Sequence, residues 1–223
     1  AFAYDIQAAC SGFLFSATTG AKFIESGAYK NVIVVGADKM SSITDYTDRS
    51  TCILFGDAAG AILLQANDQG FGLQDSWMRV DGVGAEFLHM KGGGSKNPPT
   101  HETVDKKWHY LFQDGKPVFK AAVKGMAEAV NEILKRNNLS PDDIRFVVPH
   151  QANLRIIQAV ADYLKFPMDR VMVNIQKYGN TTSATIPLCL WEWEDQLKPG
   201  DKVILTSFGG GYTWGASLWT WAY

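Results

Sequence analysis

The sequence of 223 residues is 46% apolar and 20% charged, and its formal net charge is −2. This composition is typical of a globular chain with enough apolar material for one large core or two smaller fused cores. Because the charge is small and no run is rich in Lys and Arg, we do not expect nucleic-acid binding. No apolar stretch reaches the roughly 18 residues that a membrane-spanning helix needs.

In the first part of the chain, short β-branched runs alternate with a helical pattern. We predict a helix over 12–26 that Gly27 ends, and strand 31–38 is apolar enough to be buried on both faces. The predicted strands lie at 3–7, 31–38, 59–66 and 71–79. Since the sequence opens within a strand pattern and has no initiator Met, we expect a fragment of a longer chain.

A stretch rich in Gly, Pro and polar residues over 81–109 is predicted to be a long loop. Strands and helices alternate again after it. Helices are predicted over 117–137, 152–164 and 181–196, and strands over 144–149, 170–175, 202–207 and from 213. This alternation predicts two α/β halves with largely parallel sheets, over 1–80 and 116–223, joined by a connecting region over 81–115.

A cysteine between small residues marks the first strand-to-helix junction, Gln7-Ala8-Ala9-Cys10-Ser11-Gly12. Unpaired N–H groups and the positive dipole end of a helix N-terminus would lower the pKa of the Cys10 thiol and favour a reactive thiolate. The alternative is a buried structural cysteine, which is the commoner role of a free cysteine.

Two further junctions carry polar side chains after apolar strands. His150 follows Val147-Val148-Pro149, and Asn180 follows Tyr178-Gly179. Taken alone, His150 could be a hydrogen-bonded structural histidine and Asn180 a helix cap. Together with Cys10 they form the set that acyl chemistry uses, namely a nucleophile, a base and a donor for a developing oxyanion.

Three consecutive glycines follow the predicted strand 202–207, in the segment Phe208-Gly209-Gly210-Gly211. Glycine lets a backbone approach a ligand closely and direct N–H groups at it. The segment is a weak candidate for a phosphate loop, because it lacks the GxxxxGK[ST] and GxGxxG patterns. It is a better candidate for the backbone of an oxyanion hole.

The three cysteines contain no CxxC pair, and the four histidines have no HxxxH or HExxH spacing. A disulfide framework and a metal site are therefore not expected. Free cysteines are typical of the reducing cytoplasm, which is the location we expect.

Four segments, DIQAACSGF, VPHQANLRII, KYGNTTSATIP and FGGGYTWGA, resemble the β-ketoacyl-[acyl-carrier-protein] synthase III family of condensing enzymes. The resemblance runs from residue 1 to 223. It implies a thiolase-like fold, in which two similar α/β halves with mixed, mostly parallel sheets pack around buried helices. It also implies that about a third of the family's chain, at the N-terminus, is absent here.

The resemblance implies a decarboxylative Claisen condensation of an acyl-CoA primer with malonyl-acyl-carrier-protein, the step that initiates fatty acid synthesis. Cys10 would carry the acyl group, while His150 and Asn180 would stabilise the enolate. The backbone N–H groups of Cys10 and Gly210 correspond to the oxyanion hole, and Phe208 to an aromatic residue beside the site. No cofactor is implied, since acyl-CoA and the carrier-protein thioester are substrates.

Other residues match binding positions of the family. Arg49, Phe119 and Asn153 correspond to CoA contacts, although Arg49 alone would pass for a solvated loop arginine. Lys120, Lys124 and Arg155 are candidates for docking acyl carrier protein, or else a solvated helix face. Region 81–115 would shape the acyl pocket, and the family implies a homodimer.

Two alternatives stay open. A related condensing enzyme of polyketide, quinolone or olefin biosynthesis would use the same three site residues. A non-catalytic partner subunit that binds acyl chains would have no chemical need for Cys10.

Overall fold

A computed structural model describes all 223 residues. The strands are β1 (Asn31–Lys39), β2 (Asp57–Gln65), β3 (Gly72–Val80), β4 (Leu88–Met90), β5 (Leu111–Gln113), β6 (Phe146–Pro149), β7 (Lys202–Gly209) and β8 (Thr213–Thr220). The α-helices are α1 (Gly12–Glu25), α2 (His101–Asp105), α3 (Gly115–Arg136), α4 (Leu154–Leu164), α5 (Ile175–Tyr178) and α6 (Thr185–Trp193). Short 3-10 turns join several of them, including Ala9–Ser11 and Thr182–Ala184.

The strands form three sheets. Four strands lie in the order β3-β8-β7-β6, while β1–β2 and β4–β5 each form a two-stranded sheet. Only β6 and β7 pair in parallel; the other ladders are antiparallel. The sheets are therefore mixed as predicted, but the predicted excess of parallel pairing is wrong, because β8 returns beside β7 directly after the glycine turn.

Successive residues of β6 and β7 point to opposite faces of the four-stranded sheet, as the strand period of two requires. One face packs against α3 and α4, and the other against α1 and α6. The helix predicted over 117–137 is confirmed as α3, and its apolar side chains that face the sheet are buried: Val118, Ala122, Met126, Ala129, Val130 and Ile133. Burying a side chain of the size of Val130 or Ile133 contributes about 1.5–3 kcal/mol.

The helix predicted over 12–26 is confirmed as α1, and Gly27 follows it with φ 73°, a left-handed value that suits glycine. The predicted strand 3–7 does not form, since no strand pairs with it. The strand predicted over 170–175 is also wrong, because the only strand-like pairing in this range is an isolated bridge between Val171 and Val147. The helix predicted over 181–196 is reduced to α6, because Thr182 has φ 49°, outside the helical region.

The prediction that the first apolar strand is buried on both faces is wrong. In β1 the residues alternate, with Val34 buried while Ile33 and Val35 are 69% and 54% exposed. Helix α1 covers one face of β1, and the only partner strand in the described chain is β2. An apolar sequence alone does not show which faces other elements cover.

The loop predicted over 81–109 contains regular structure. Strand β4 pairs with β5 in register Leu88↔Gln113 and Met90↔Leu111, and helix α2 lies in the connection between them. Runs of three residues are too short to show a strand period in the sequence. The predicted division of the chain at residues 80 and 115 stays a prediction. Strand β3, at the end of the predicted first half, pairs with β8 of the predicted second half.

Candidate active site

A cavity of about 640 Å³ is lined by residues from both the first and the last part of the chain. Cys10, His150 and Asn180 all line it, as do Phe208 and Gly210. These residues lie up to 200 positions apart in the sequence and come from the turn before α1, the segment after β6, the segment before α6 and the end of β7. The structure thus brings together every residue that the sequence placed in the chemical centre.

Cys10 lies in the turn Ala9–Ser11 that leads into α1. Ala9 before it has φ 47°, a left-handed conformation that costs a non-glycine residue energy. The turn is held by Ser207, whose Oγ donates to the Cys10 carbonyl oxygen at 2.8 Å. A Cβ atom on Gly209 would lie 2.6 Å from the Cys10 nitrogen, so only glycine allows the end of β7 to approach this closely.

The surroundings of Cys10 raise the pKa of its thiol to about 12. Burial is the largest cause, because it disfavours the charged thiolate, and the Asp38 carboxylate adds to it. The backbone N–H groups of Cys10 and Gly210 lower the pKa, but by less. The predicted lowering of the thiol pKa is therefore wrong in its net direction, and Cys10 rests as a thiol at neutral pH.

His150 follows β6 and is 1% exposed. Its Nδ1 lies 2.7 Å from Thr185 Oγ1, and that hydroxyl donates to the Thr182 carbonyl oxygen at 3.0 Å. Since a hydroxyl has one proton and a carbonyl oxygen only accepts, Nδ1 carries the ring proton and Nε2 carries the lone pair. Burial lowers the pKa of His150 to about 3, so the ring is neutral at physiological pH.

Asn180 is anchored by its backbone to the segment before β2. Its N–H donates to the Leu54 carbonyl oxygen at 2.8 Å, and its own carbonyl oxygen accepts from the Gly56 N–H at 3.0 Å. The side-chain Oδ1 accepts from the Thr182 N–H at 2.9 Å. This bond fixes the orientation of the amide and leaves Nδ2 as a donor toward the cavity that Asn180 lines.

Three residues that hold the site in place were missed from the sequence. Thr185 fixes the tautomer of His150, and Asp38 at the end of β1 accepts from Ser183. Gln151 is fully buried: its Nε2 donates to Pro149 and Met172 carbonyl oxygens, and its Oε1 accepts from the backbone of residues 174 and 175. The signal that the sequence offers for Gln151 is its position beside His150, just after the apolar strand β6.

The hairpin of β4 and β5 forms one wall of the cavity. Its inward face consists of Leu88, Met90, Leu111 and Gln113. Apolar side chains of the segment between β1 and β2, among them Met40 and Ile43, also line the cavity. The hairpin is attached to that segment by the Leu111 N–H, which donates to the Ile43 carbonyl oxygen at 2.8 Å.

The residues predicted to bind CoA are only partly gathered at the cavity. Phe119 and Asn153 line it, and Asn153 Oδ1 also caps α4 by accepting from the Arg155 N–H at 2.8 Å. Arg49 is exposed and does not line the cavity, although its neighbour Ser50 does. The basic residues proposed for docking are all exposed on the adjacent helices α3 and α4: Lys120, Lys124 and Arg155.

The structure shows neither a cluster of metal ligands nor a membrane-spanning helix. No group of three or more His, Cys, Asp and Glu side chains is arranged to hold a metal ion. None of the helices combines the length and the apolar character that crossing a bilayer would require.

The sequence matches two family models, both of which describe 3-oxoacyl-[acyl-carrier-protein] synthase III. One covers residues 4–82, and the other, of the family's C-terminal part, covers residues 134–221. The chain belongs to the 3-oxoacyl-[acyl-carrier-protein] synthase III family. The first match contains Cys10, and the second contains His150 and Asn180.

Individual synthase III relatives agree along the whole chain. A curated β-ketoacyl-[acyl-carrier-protein] synthase III of Porphyromonas gingivalis is 55% identical over 222 residues, and one of Bacteroides thetaiotaomicron is 55% identical over 223. The crystal structure of the synthase III of Aquifex aeolicus has a TM-score of 0.90 and 41% identity over 99% of this chain. The predicted thiolase-like fold is thereby confirmed.

The chain spans about two thirds of the length of these synthase III relatives. It covers 66% of the Porphyromonas protein, 67% of the Bacteroides protein and 67% of the Aquifex chain. The activity, substrates and partners of the whole protein are therefore a matter of proposal.

Proposed function

We propose that the protein is an acyltransferase that performs the decarboxylative Claisen condensation initiating fatty acid synthesis. It would join an acyl-CoA primer to malonyl-acyl-carrier-protein and give a β-ketoacyl-carrier-protein product. The observation that carries this proposal is the single cavity in which Cys10, His150 and Asn180 meet. Membership of the synthase III family supports the same conclusion.

In the first half-reaction the Cys10 sulfur attacks the thioester carbonyl of the primer. Because the thiol rests protonated, a base must take its proton as the C–S bond forms, and the Nε2 lone pair of neutral His150 is suited to this. The proton then passes to the departing CoA sulfur. The backbone N–H groups of Cys10 and Gly210 would stabilise the oxyanion of the tetrahedral intermediate.

In the second half-reaction the malonyl thioester loses CO2, and negative charge develops on its carbonyl oxygen as an enolate forms. Asn180 Nδ2 is positioned as a donor to that oxygen, and His150 would add a second donor with a proton that Nε2 takes up from solvent as the negative charge develops. The enolate carbon attacks the Cys10 thioester, and the released Cys10 thiolate takes this proton from Nε2. These steps need no metal or redox cofactor, because donors within the site meet the developing charge.

Substrates and partners follow from the same site. Phe119 and Asn153 on the cavity wall would contact the pantetheine arm of CoA, and Arg49 beside Ser50 its nucleotide end. The exposed residues Lys120, Lys124 and Arg155 would dock acidic acyl carrier protein. A homodimer and a cytoplasmic location complete the proposal; the three free cysteines support the latter.

A second candidate is a priming enzyme of polyketide synthesis. The priming β-ketosynthase of the R1128 polyketide pathway has a TM-score of 0.88 and 32% identity to this chain. The 55% identity to fatty-acid-type synthases favours initiation of fatty acid synthesis instead. A non-catalytic partner subunit is disfavoured, because nothing in acyl binding alone requires a thiol beside a neutral imidazole.

Intact-protein mass spectrometry after incubation with a panel of acyl-CoAs tests the proposal. We expect a mass gain of one acyl group that peptide mapping places on Cys10, and its loss on addition of malonyl-acyl-carrier-protein with release of CO2. The acyl-CoAs that load fastest reveal the primer range. Failure of every acyl-CoA and every acyl-carrier-protein donor to load would contradict the proposal.

A further inference from the structure

A carboxylate lies in the cavity beside the nucleophile, although neither half-reaction above uses it. Asp38 ends the apolar part of β1 and lines the cavity together with Cys10. Its Oδ2 accepts from the Ser183 N–H at 3.1 Å and from the Ser183 hydroxyl at 2.5 Å. The two residues are 145 positions apart, so these bonds join the two halves of the chain.

Ser183 belongs to the turn that carries Asn180 at one end and Thr185 at the other. The backbone of β1 touches this turn, since a Cβ on Gly36 would lie 2.4 Å from the Ser183 carbonyl oxygen. Thr182 within the turn has φ 49°, a conformation that a threonine adopts only when its surroundings impose it. Asp38 and the segment before β2 are the side-chain and backbone anchors that impose it.

The charge of Asp38 opposes the chemistry of Cys10. The carboxylate disfavours the thiolate and adds to the raised pKa of the thiol. An ionised carboxylate can only accept, so it receives both Ser183 donors on one oxygen without ambiguity, and bonds to a charged acceptor are stronger than neutral ones. The carboxylate therefore makes the Cys10 thiolate less stable, but it also holds the turn in a fixed position.

We propose that Asp38 is a positioning residue for the decarboxylation step, which it serves by holding the turn that aims the Asn180 amide into the cavity. This inference rests on the proposed function. It assigns Asp38 to one half-reaction, because Asn180 serves decarboxylation alone. Thr185, which orients His150 for loading, is the first residue of α6 and is held in place by that helix. Removal of the carboxylate should then have opposite effects on the two halves of the reaction.

The chain offers a matched control for Asp38. Asp143 Oδ2 accepts from the Ser140 N–H and from the Ser140 hydroxyl, each at 2.7 Å, which is the same pair of bonds to one carboxylate oxygen. Asp143 is exposed and does not line the cavity. Asp143→Ala thus removes the same kind of serine clamp at a place remote from the chemistry.

The experiment compares Asp38→Ala and Asp143→Ala with the wild type in the full chain. We expect Asp38→Ala, which has no acceptor for Ser183, to slow CO2 release from malonyl-acyl-carrier-protein by about tenfold to a hundredfold, as a small displacement of a donor does. Acyl loading should be unchanged or faster, and alkylation of Cys10 by iodoacetamide at pH 8 severalfold faster. Besides Asp38, His150 and His89 are the titratable side chains that line the cavity with Cys10, and they are unchanged in the variant.

Ser183→Ala removes one of the two bonds from the other side and gives a second test if Asp38→Ala folds poorly. It should slow CO2 release selectively and by less, with Cys10 alkylation close to that of the wild type. Decarboxylation at the wild-type rate in Asp38→Ala, or equal slowing of loading and decarboxylation, would overturn the inference alone. A wild-type protein that loads no acyl group would overturn the proposed function and this inference with it.

Discussion

Two cysteines of this chain are alike in everything except what surrounds them. Cys10 and Cys189 are both free thiols, burial raises the pKa of both, and a backbone N–H opposes the rise in each case. Cys189 lies in α6 with no exposure, within an apolar cluster that includes Phe13 and Ile186. Cys10 lies on the wall of a cavity that it shares with His150.

The difference shows that neither burial nor a shifted pKa identifies a nucleophile. What distinguishes Cys10 is a path for substrate, a neutral imidazole within the same cavity and N–H groups placed for an oxyanion. Cys189 lacks such a path, and its thiol behaves as a small apolar side chain. Substitution of Cys10 should therefore remove acyl transfer with little loss of stability, whereas substitution of Cys189 should lower stability and leave acyl transfer in place.

The largest expected effect is on acyl transfer. Cys10→Ala should abolish the acyl adduct and all condensation, because the covalent intermediate cannot form. Cys10→Ser should do the same, since a hydroxyl is a much weaker nucleophile, and neither change should cost much stability. Cys189→Ala is the matched control and should load the primer at the wild-type rate. Appreciable condensation by Cys10→Ala, measured with purified carrier protein, would refute the assignment of the nucleophile.

The next effect separates the two half-reactions. Asn180→Ala should slow malonyl decarboxylation by roughly 10²–10³, the usual cost of removing a donor to a developing oxyanion. Loading of Cys10 should change far less, because Asn180 has no part in the proposed transfer of the thiol proton to His150. CO2 release and intact mass measured on the same sample give the two rates. An equal loss in both would mean that Asn180 only supports the fold of its turn.

A smaller effect concerns pH. Because the surroundings raise the pKa of the Cys10 thiol to about 12, its thiolate fraction grows with pH throughout the neutral and mildly alkaline range. Alkylation of Cys10 by iodoacetamide should therefore speed up about tenfold per pH unit from about pH 7 to 10. Peptide mapping should show Cys189 unmodified over the same range. A plateau in the Cys10 rate near pH 8 would show that the thiolate is already formed there.

The smallest effect is on stability. Cys189→Ser places a hydroxyl in the apolar cluster and should lower the free energy of unfolding by about 1–3 kcal/mol, while acyl transfer is retained. Urea unfolding of this variant beside Cys10→Ser provides the measurement. If Cys10→Ser were the less stable of the two, the description of Cys189 as the structural thiol would be incorrect.

Sequence reasoning selected Cys10 and His150 because each lies beside a recognisable element. Cys10 precedes α1, and His150 follows the apolar strand β6, whereas the strand predicted before Asn180 does not form. It gave the wrong sign for the thiol pKa, since burial and the Asp38 carboxylate depend on contacts between distant segments. The bond between Asp38 and Ser183 spans 145 positions and has no local pattern.

Elements whose apolar residues recur at a regular spacing over many positions were predicted well, and short elements without such a spacing were predicted poorly. The 22 residues of α3 show a long apolar stripe, whereas the three-residue strands β4 and β5 show no period at all. Likewise, an apolar run such as β1 does not tell which of its faces is covered. The sequence shows the local preference of each segment for helix or strand, but it does not show which other segments pack against it.

The β4–β5 hairpin lines the cavity but carries none of the groups that the proposed reaction uses. Those groups come from the turn before α1, the residue after β6 and the turn before α6, while the hairpin contributes side chains such as Leu88 and Met90. A change of volume on this wall would alter the shape of the cavity and leave the proposed nucleophile, base and donor in place. In the proposed reaction, a few hairpin substitutions would therefore change the range of primers without removing a reacting group.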